Sequence, residues 1–234
     1  QNTLFFHSAF LTKDRISTYG KKQFIEINQG ITKTVVEFLR NCEKPRVVHI
    51  SSGAALSSEK EGTTCITNAD DPYSYLKLSE ERQLSDIVNT QIFRIYALSG
   101  RFIRDPQVFA IGDLLTKAIK KEPLTINAEF PVIRSYVSAS DVAKCAIQWL
   151  ISYDKPQKPI GASSHITTLV ALAELIAKEY CQPPPNVKPF MQTPNSYSCS
   201  PIFFDQMLKK YGIAPLSMTD QIKDTAYGLT MNYI

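Results

Sequence analysis

Cysteine is sparse and unpaired in this chain of 234 residues: Cys42, Cys65, Cys145, Cys181 and Cys199 are scattered, odd in number and never spaced C-x-x-C. That pattern excludes a disulfide framework and a structural zinc knuckle, and it suits a reducing cytoplasm. Glycine is scarce as well, at 9 residues, and no glycine-rich run of the kind that cradles phosphates occurs. No apolar stretch reaches the roughly 18 residues needed to span a bilayer, so no membrane segment is expected. The opening QNTLFFHSAF lacks the basic start and long apolar core of a secretory signal. The three histidines form no cluster with Asp or Glu at ligand spacing, so no metal is expected. A net charge of +4 is mild and unclustered. It tolerates an anionic small molecule but makes no nucleic-acid footprint. The rest is ordinary for a globular protein, with 44% hydrophobic residues, long enough for one large domain or one and a half ordinary ones.

What is present alternates regularly in the first half. TLFFHSAF (3–10) and RVVHISS (46–52) are short apolar runs, expected as buried strands. Between them, KQFIEINQGITKTVVEFLRNC (22–42) sets Phe24, Ile27, Ile31, Val35, Phe38 and Leu39 at helical spacing. A polar loop follows the second strand, then a helix over YSYLKLSEERQLSDIV (73–88) and a third strand over TQIFRIYALSG (90–100). Strand, helix, strand, helix, strand with apolar strands predicts a parallel sheet covered by helices. The second half is less regular. Helices are expected over 109–123, 165–180 and 202–215, and a strand leading into a helix over 134–152, capped by Ser140 or Asp141.

DPYSYLKLSEE (71–81) places Tyr73 and Lys77 four residues apart, on one face of the expected helix. With 11 Tyr and 18 Lys, random placement produces about one such pair, so the spacing alone argues nothing. Its surroundings decide. Upstream, HISSGAA ends a parallel strand with Ser51 and Ser52, and ligands of open α/β sheets bind beyond the carboxyl ends of strands. A phenol needs its pKa lowered by about three units, about 4 kcal/mol, to act as a base near neutral pH. A nearby ammonium favours the phenolate. That is a task for Lys77, with Ser52 donating a hydrogen bond to a reacting oxygen. The bland alternative is an exposed Tyr–Lys pair and a strand-end hydroxyl bonded to backbone. His7 and His49 lie in apolar strands, where histidines are core residues more often than ligands.

The segments LFFHSAF, INQGITKTVVEFLR, HISSGAA, PYSYLK, FRIYALSG, VIRSYVSASDVAKCAI and IGASSHITTLVALAELIA follow one another in an order that carries more than any one of them. Taken in that order they resemble the extended short-chain dehydrogenase/reductases that modify nucleotide sugars. In that family HLAA, N-x-x-G-T, a Ser/Thr strand, Tyr-x-x-x-Lys, R-x-x-N-x-x-G, R-D-Y-x-x-V-x-D-x-A and a late strand and helix follow in the same sequence. The resemblance implies a Rossmann-type doubly wound parallel sheet with a small C-terminal substrate-binding lobe. It divides the chain into a cofactor-binding part over 1–100 and a substrate-binding part over 101–234, with 134–152 packing back on the Rossmann sheet. It makes Ser52, Tyr73 and Lys77 catalytic. It assigns His7, Ser8, Ala9, Asn28 and Tyr96, with Tyr73 and Lys77, to bound NAD or NADP, and Ser52, Phe109 and Arg134 to a nucleoside diphosphate sugar. Arg134 could instead pair with Asp141. The family also implies a cytoplasmic homodimer in sugar or cell-surface polysaccharide biosynthesis. Its contact would run through helices 22–42 and 73–88, where Val36, Phe38, Leu76 and Leu84 add apolar surface.

Departures from the family narrow the activity. Gly53-Ala54 stands where sugar dehydratases carry Asp-Glu, which favours epimerisation or keto reduction over dehydration. Ala97 replaces a substrate-touching Asn, Ile31 a Gly, and Leu76 a Ser or Thr, leaving the sugar open. The likeness begins at the family's fourth strand. We therefore expect a longer polypeptide, with roughly 60 residues of a glycine-rich βαβαβ unit before Gln1. The alternative is a binding or scaffold protein that keeps the fold without the chemistry.

Overall fold

The computed structural model describes residues 3–61 and 71–231, so Cys65 and part of the expected polar loop lie outside it. In chain order the first elements are β1 (Leu4–His7), α1 (Ile16–Arg40), β2 (Arg46–Ser52), α2 (Ala55–Glu61), α3 (Pro72–Ile87), β3 (Asn89–Ile95) and β4 (Ala97–Ser99). Then come α4 (Ala110–Ile119), β5 (Thr125–Ile126), β6 (Val132–Ser138), α5 (Ala139–Ser152), β7 (Ile160–Ala162) and β8 (His165–Thr168). The last are α6 (Leu169–Glu179), β9 (Asn186–Val187), β10 (Asn195–Tyr197), α7 (Ile202–Lys210) and α8 (Met218–Met231). The chain divides into two units, one of residues up to Ile95 with Cys145–Gly161, the other of Tyr96–Lys144 with the residues after Gly161.

The first unit is the expected Rossmann-type α/β arrangement. Its sheet has the order β1–β2–β3–β7. β1 runs parallel to β2, from Leu4 opposite Arg46 to His7 opposite His49, and β2 runs parallel to β3, ending with Ser52 opposite Ile95. All of β2 but Ile50 is buried, as a strand between two others requires. Val36 and Leu39 of α1 join Val47 and Leu84 in one core cluster. Gly20, at φ 73, breaks α1 early, a left-handed backbone that glycine adopts freely. The buried stripe of α1 is Phe24, Asn28, Thr32, Val36 and Leu39, while Phe38 is 49% exposed. The helix is thus turned from the face that its apolar residues suggest, because Asn28 and Thr32 meet polar partners inside. Of the four residues expected to add outward apolar surface, Val36, Leu76 and Leu84 are buried within the unit. α2 forms where only loop was expected.

The second unit has a sheet in the order β10–β6–β4, with β8 antiparallel to β6, and the separate parallel pair β5–β9. Residues 90–100, expected as one strand, break at Tyr96. β3 stays in the first sheet and β4 pairs with β6. Helices α4, α6 and α8 close a core that includes Ile111, Leu115, Leu172, Ile176 and Ile222. Residues 165–168, expected to open a helix, form β8 instead. Ile166, Thr167 and Thr168 are β-branched and suit a strand, and Thr168 Oγ1 then caps α6 by accepting from Ala171 N at 3.0 Å. At α5 the capping hydroxyl is Ser138, which accepts from Ser140 N at 3.1 Å. Asp141 Oδ2 instead accepts from Leu216 N at 2.9 Å. Sequence periodicity missed α8, whose buried face carries Gln221, Thr225 and Gly228. Gln221 accepts from Ser99 Oγ, Thr225 accepts from Gly100 N, and a Cβ on Gly228 would collide with Arg101 O.

Arg46 shows how the first unit joins segments far apart in sequence. Its guanidinium donates to Leu150 O at 3.2 Å and to Trp149 O and Asp154 O at 2.9 Å. The first two belong to the last turn of α5, where carbonyls lack intrahelical partners, and Asp154 lies just beyond the helix. The same group lies 4.2 Å from the Trp149 ring centroid, a cation–π contact. Arg46→Met is expected to cost roughly 2–4 kcal/mol in chemical denaturation, and Arg46→Lys to recover only part of it. A loss below about 0.5 kcal/mol would show that water satisfies those carbonyls equally well.

Candidate active site

The start of α3 is written into its first residues. Asp71 is the N-cap, its Oδ1 accepting from Tyr73 N at 3.1 Å, and Pro72 occupies the first helical position. Lys13 bridges to the other oxygen of Asp71 at 2.8 Å. Tyr73 therefore sits half-buried in the first turn of the helix, where the backbone dipole favours negative charge by about 0.3–1 kcal/mol. This contribution to a phenolate was not anticipated from the sequence.

Lys77, one turn on, points inward and is 4% exposed. Its Nζ donates to Ile50 O at 3.3 Å and to Glu80 Oε2 at 3.1 Å, and lies 3.7 Å from the centroid of the Phe10 ring. Phe10 meets Tyr73 edge-on at 5.8 Å between centroids. The ring thus touches both members of the pair. Burial pushes the Lys77 pKa below its ordinary value, against the opposing pull of Glu80 and Glu81. Ser52 ends β2, nearly buried, its Oγ accepting from Ala54 N at 3.2 Å.

Beneath the pair lies a polar cluster that includes Glu80, a residue the sequence did not single out. Glu80 is wholly buried. His7 Nε2 donates to Glu80 Oε1 at 2.8 Å, and Thr32 Oγ1 donates to the same oxygen at 3.2 Å. Burial alone would raise the Glu80 pKa. The hydrogen bond from His7 and the Lys77 ammonium override it and hold the carboxyl at about 2. His49, stacked on His7 at 5.3 Å, comes within 3.4 Å of Glu80 Oε2, yet neither of its ring nitrogens has a hydrogen-bond partner among the described residues. Burial pushes its pKa down to about 3, with Glu80 opposing and Lys77 and His7 adding to the fall. Ligand atoms of His7, His49 and Glu80 lie within 4.8 Å of one another, close enough for a metal ion. Sequence spacing, which showed no cluster of His with Asp or Glu, did not reveal this grouping, because β1, β2 and α3 bring together residues far apart in the chain.

The remaining expected residues fall into two groups. Ser8 and Ala9 are exposed beyond the end of β1. Asn28 is wholly buried, and its amide bonds Leu11 both ways, accepting from Leu11 N at 2.8 Å and donating to Leu11 O at 3.3 Å. It therefore pins the segment that carries Ser8, Ala9 and Phe10. Tyr96, Phe109 and Arg134 belong to the second unit. The Tyr96 ring packs on Tyr197 at 4.8 Å. Phe109 lines a cavity of about 190 Å³ with Leu98, Gly100, Phe102, Arg104 and Ala139. Arg134 is half-buried, its Nη1 donating to Ile133 O and Asn195 O.

The profile of the NAD-dependent epimerase/dehydratase family matches residues 2–160. No curated protein matches the chain. Among solved structures, UDP-glucuronic acid 4-epimerase from Bacillus cereus, in complex with UDP-glucuronic acid and NAD, is 17% identical, with a TM-score of 0.71 over 98% of this chain and 76% of that one. UDP-glucose 4-epimerase from Thermus thermophilus, in complex with NAD, is 20% identical, with a TM-score of 0.72 over 98% of this chain and 78% of that one. UDP-glucose 4-epimerase from Thermotoga maritima, with UDP-glucose, is 18% identical, with a TM-score of 0.69 over 99% of this chain and 78% of that one. At such identities the likeness is one of fold.

The buried cluster makes stability depend on pH in one direction. Glu80 and His49 both have folded pKa values below their ordinary ones, so the unfolded chain binds more protons as pH falls. The His49 contribution is complete above about pH 6.5 and lost toward about pH 3; that of Glu80 is complete above about pH 4.5 and lost toward about pH 2. Between pH 6.5 and 4.5, His49 alone should remove about 2–3 kcal/mol. His49→Gln should flatten that part of a stability–pH curve measured by urea unfolding. An unchanged slope would show that His49 is not the source of the acid sensitivity.

Proposed function

Because the chain belongs to the NAD-dependent epimerase/dehydratase family, we propose that it is an NAD- or NADP-dependent enzyme that epimerises, or reduces the keto form of, a nucleoside diphosphate sugar. The observation that carries this reading is the pair on α3. A phenol in the first turn and a buried ammonium one turn below it share the Phe10 ring, beside the end of a parallel strand. The three solved proteins described above are 4-epimerases bound to NAD, to a UDP-sugar or to both, which supports the same reaction class here.

The residues fit a dinucleotide in kind. Ser8 and Ala9 offer exposed backbone beyond β1, and Tyr73 and Lys77 offer a hydroxyl and an amine. Phe10 must give way for Lys77 to touch a ligand, since its ring lies over the amine. A bound nicotinamide supplies a place for hydride to go and to come from. The chain's own part is proton transfer and orientation. Tyr73, as phenolate, takes the proton of a sugar hydroxyl at its Oη and later returns it. The Lys77 ammonium and the N-terminus of α3 lower the cost of that phenolate. Ser52 orients the sugar oxygen. Gly53 and Ala54 provide no acid for elimination, so dehydration falls outside this reading. A second reading, a family member that binds without turnover, is favoured by the same Phe10 ring.

Two substitution series test these roles. Tyr73→Phe should abolish interconversion of UDP-glucose and UDP-galactose, or whichever nucleotide sugar the protein turns over, while leaving its circular dichroism unchanged. Tyr75→Phe should be much milder, because a residue two positions along a helix faces away from Lys77. The reverse ranking would reassign the base.

Arg134→Ala should weaken binding of a nucleoside diphosphate sugar by roughly ten- to a hundredfold in calorimetry, with NAD binding unchanged. Lysine should restore only part of it, because a point charge does not reproduce the guanidinium fork. Equal loss for both ligands would make Arg134 a structural residue of β6.

A further inference from the structure

Building on the assignment of Tyr73 and Lys77 as the reacting pair, we propose that Glu80 is a positioning residue whose buried carboxylate, oriented by His7 and Thr32, fixes the Lys77 side chain and keeps its amine protonated beneath Phe10. An ammonium has three N–H bonds and, on a four-carbon stem, many rotamers. Here one direction goes to Ile50 O, one to Glu80 Oε2, and the ring of Phe10 covers the group. Glu80 itself has little freedom. Oε1 receives His7 from β1 and Thr32 from α1, and Oε2 receives Lys77 from its own helix. The carboxylate therefore refers the position of one amine to three elements.

The charge balance around the amine points the same way. Glu80 and Glu81 from its own helix act on it, His49 from β2 lies close enough to interact with it, His7 from β1 meets it through Glu80, and the neutral Phe10 ring from the segment after β1 covers it. Glu81 is largely engaged elsewhere, taking three hydrogen bonds from Arg94 and one from Ser51. Glu80 is thus the negative charge in contact with Lys77. Without it, burial drives the amine toward its neutral form, and a neutral amine cannot stabilise a phenolate at Tyr73. A carboxylate that only filled space or bridged helices would leave the protonation of Lys77 untouched.

The decisive measurement needs neither cofactor nor sugar. In full-length protein labelled with 13C-lysine, the Lys77 Cε resonance, assigned by its absence in Lys77→Arg, is followed against pH. In Glu80→Gln its midpoint should fall by at least about one pH unit, while Glu80→Asp should stay closer to the parent. In the parent labelled with 13C-glutamate, the Glu80 carboxyl carbon should show a step at the Lys77 midpoint, a test that stands even if Glu80→Gln fails to fold. An unmoved Lys77 midpoint in Glu80→Gln, or a Glu80 carbon blind to the Lys77 titration, overturns the proposal. Absence of turnover on any nucleotide sugar would sink the enzymatic reading alone, since both titrations remain readable. Where turnover is present, the limb of the kcat–pH profile that reports Tyr73 should move to higher pH in Glu80→Gln. A limb that stays in place would remove Glu80 from the chemistry.

Discussion

A carboxylate with no exposed surface must have its charge answered inside the protein, and in this chain that carboxylate is Glu80. The cost of burying it unpaired would be several kcal/mol. The answer comes from His7 on β1, Thr32 on α1 and Lys77 on α3, so satisfying one side chain registers three elements. Its neighbour Glu81 is nearly as buried and is answered by Arg94 on β3 and Ser51 on β2. Successive residues of a helix point about 100° apart. Two adjacent carboxylates therefore lock α3 in two directions at once. Such pairs add little net stability compared with apolar packing, but half of one is far worse than none.

This polar lattice also marks where the sequence could be read and where it could not. The strand RVVHISS and the face shared by Tyr73 and Lys77 follow from local pattern, and the structure keeps them; TLFFHSAF, expected as a buried strand over 3–10, is a strand only over Leu4–His7, with Leu4 and Phe6 exposed. The inward face of α1 does not. Periodicity counts apolar residues and so favours Ile27 and Ile31, whereas burial selects Asn28 and Thr32 because their partners, Leu11 and Glu80, are distant in sequence. Glu80 was passed over for the same reason: a charged residue beside another in a helix reads as a solvated face. α8 was hidden by a buried face of Gln221, Thr225 and Gly228, which fits only because Ser99, Gly100 and Arg101 are there to receive it. The break at Tyr96 has no local signal in RIYALSG, since both halves are good strands and only their partners differ.

Phe10 has two opposed effects. Its ring attracts the Lys77 ammonium and excludes water from it, which lowers the local dielectric and strengthens the field that the ammonium exerts on its surroundings. The same ring stands between that amine and any ligand. Asn28 holds the backbone at Leu11, next to Phe10, from both sides, so any clearing of the amine falls to the Phe10 side chain and not to its backbone.

The bonds from Arg46 to residues 149–154 have a consequence in time. A ribosome that has just made β2 must add about a hundred residues before those carbonyls exist, on the order of 5–20 s at ordinary elongation rates. During that interval the guanidinium can be satisfied only by water, so β2 cannot yet close as a buried strand at its amino end. The first unit is thus complete only after a long stretch of the second, Tyr96–Lys144, has emerged. Neither unit can be obtained by cutting the chain once.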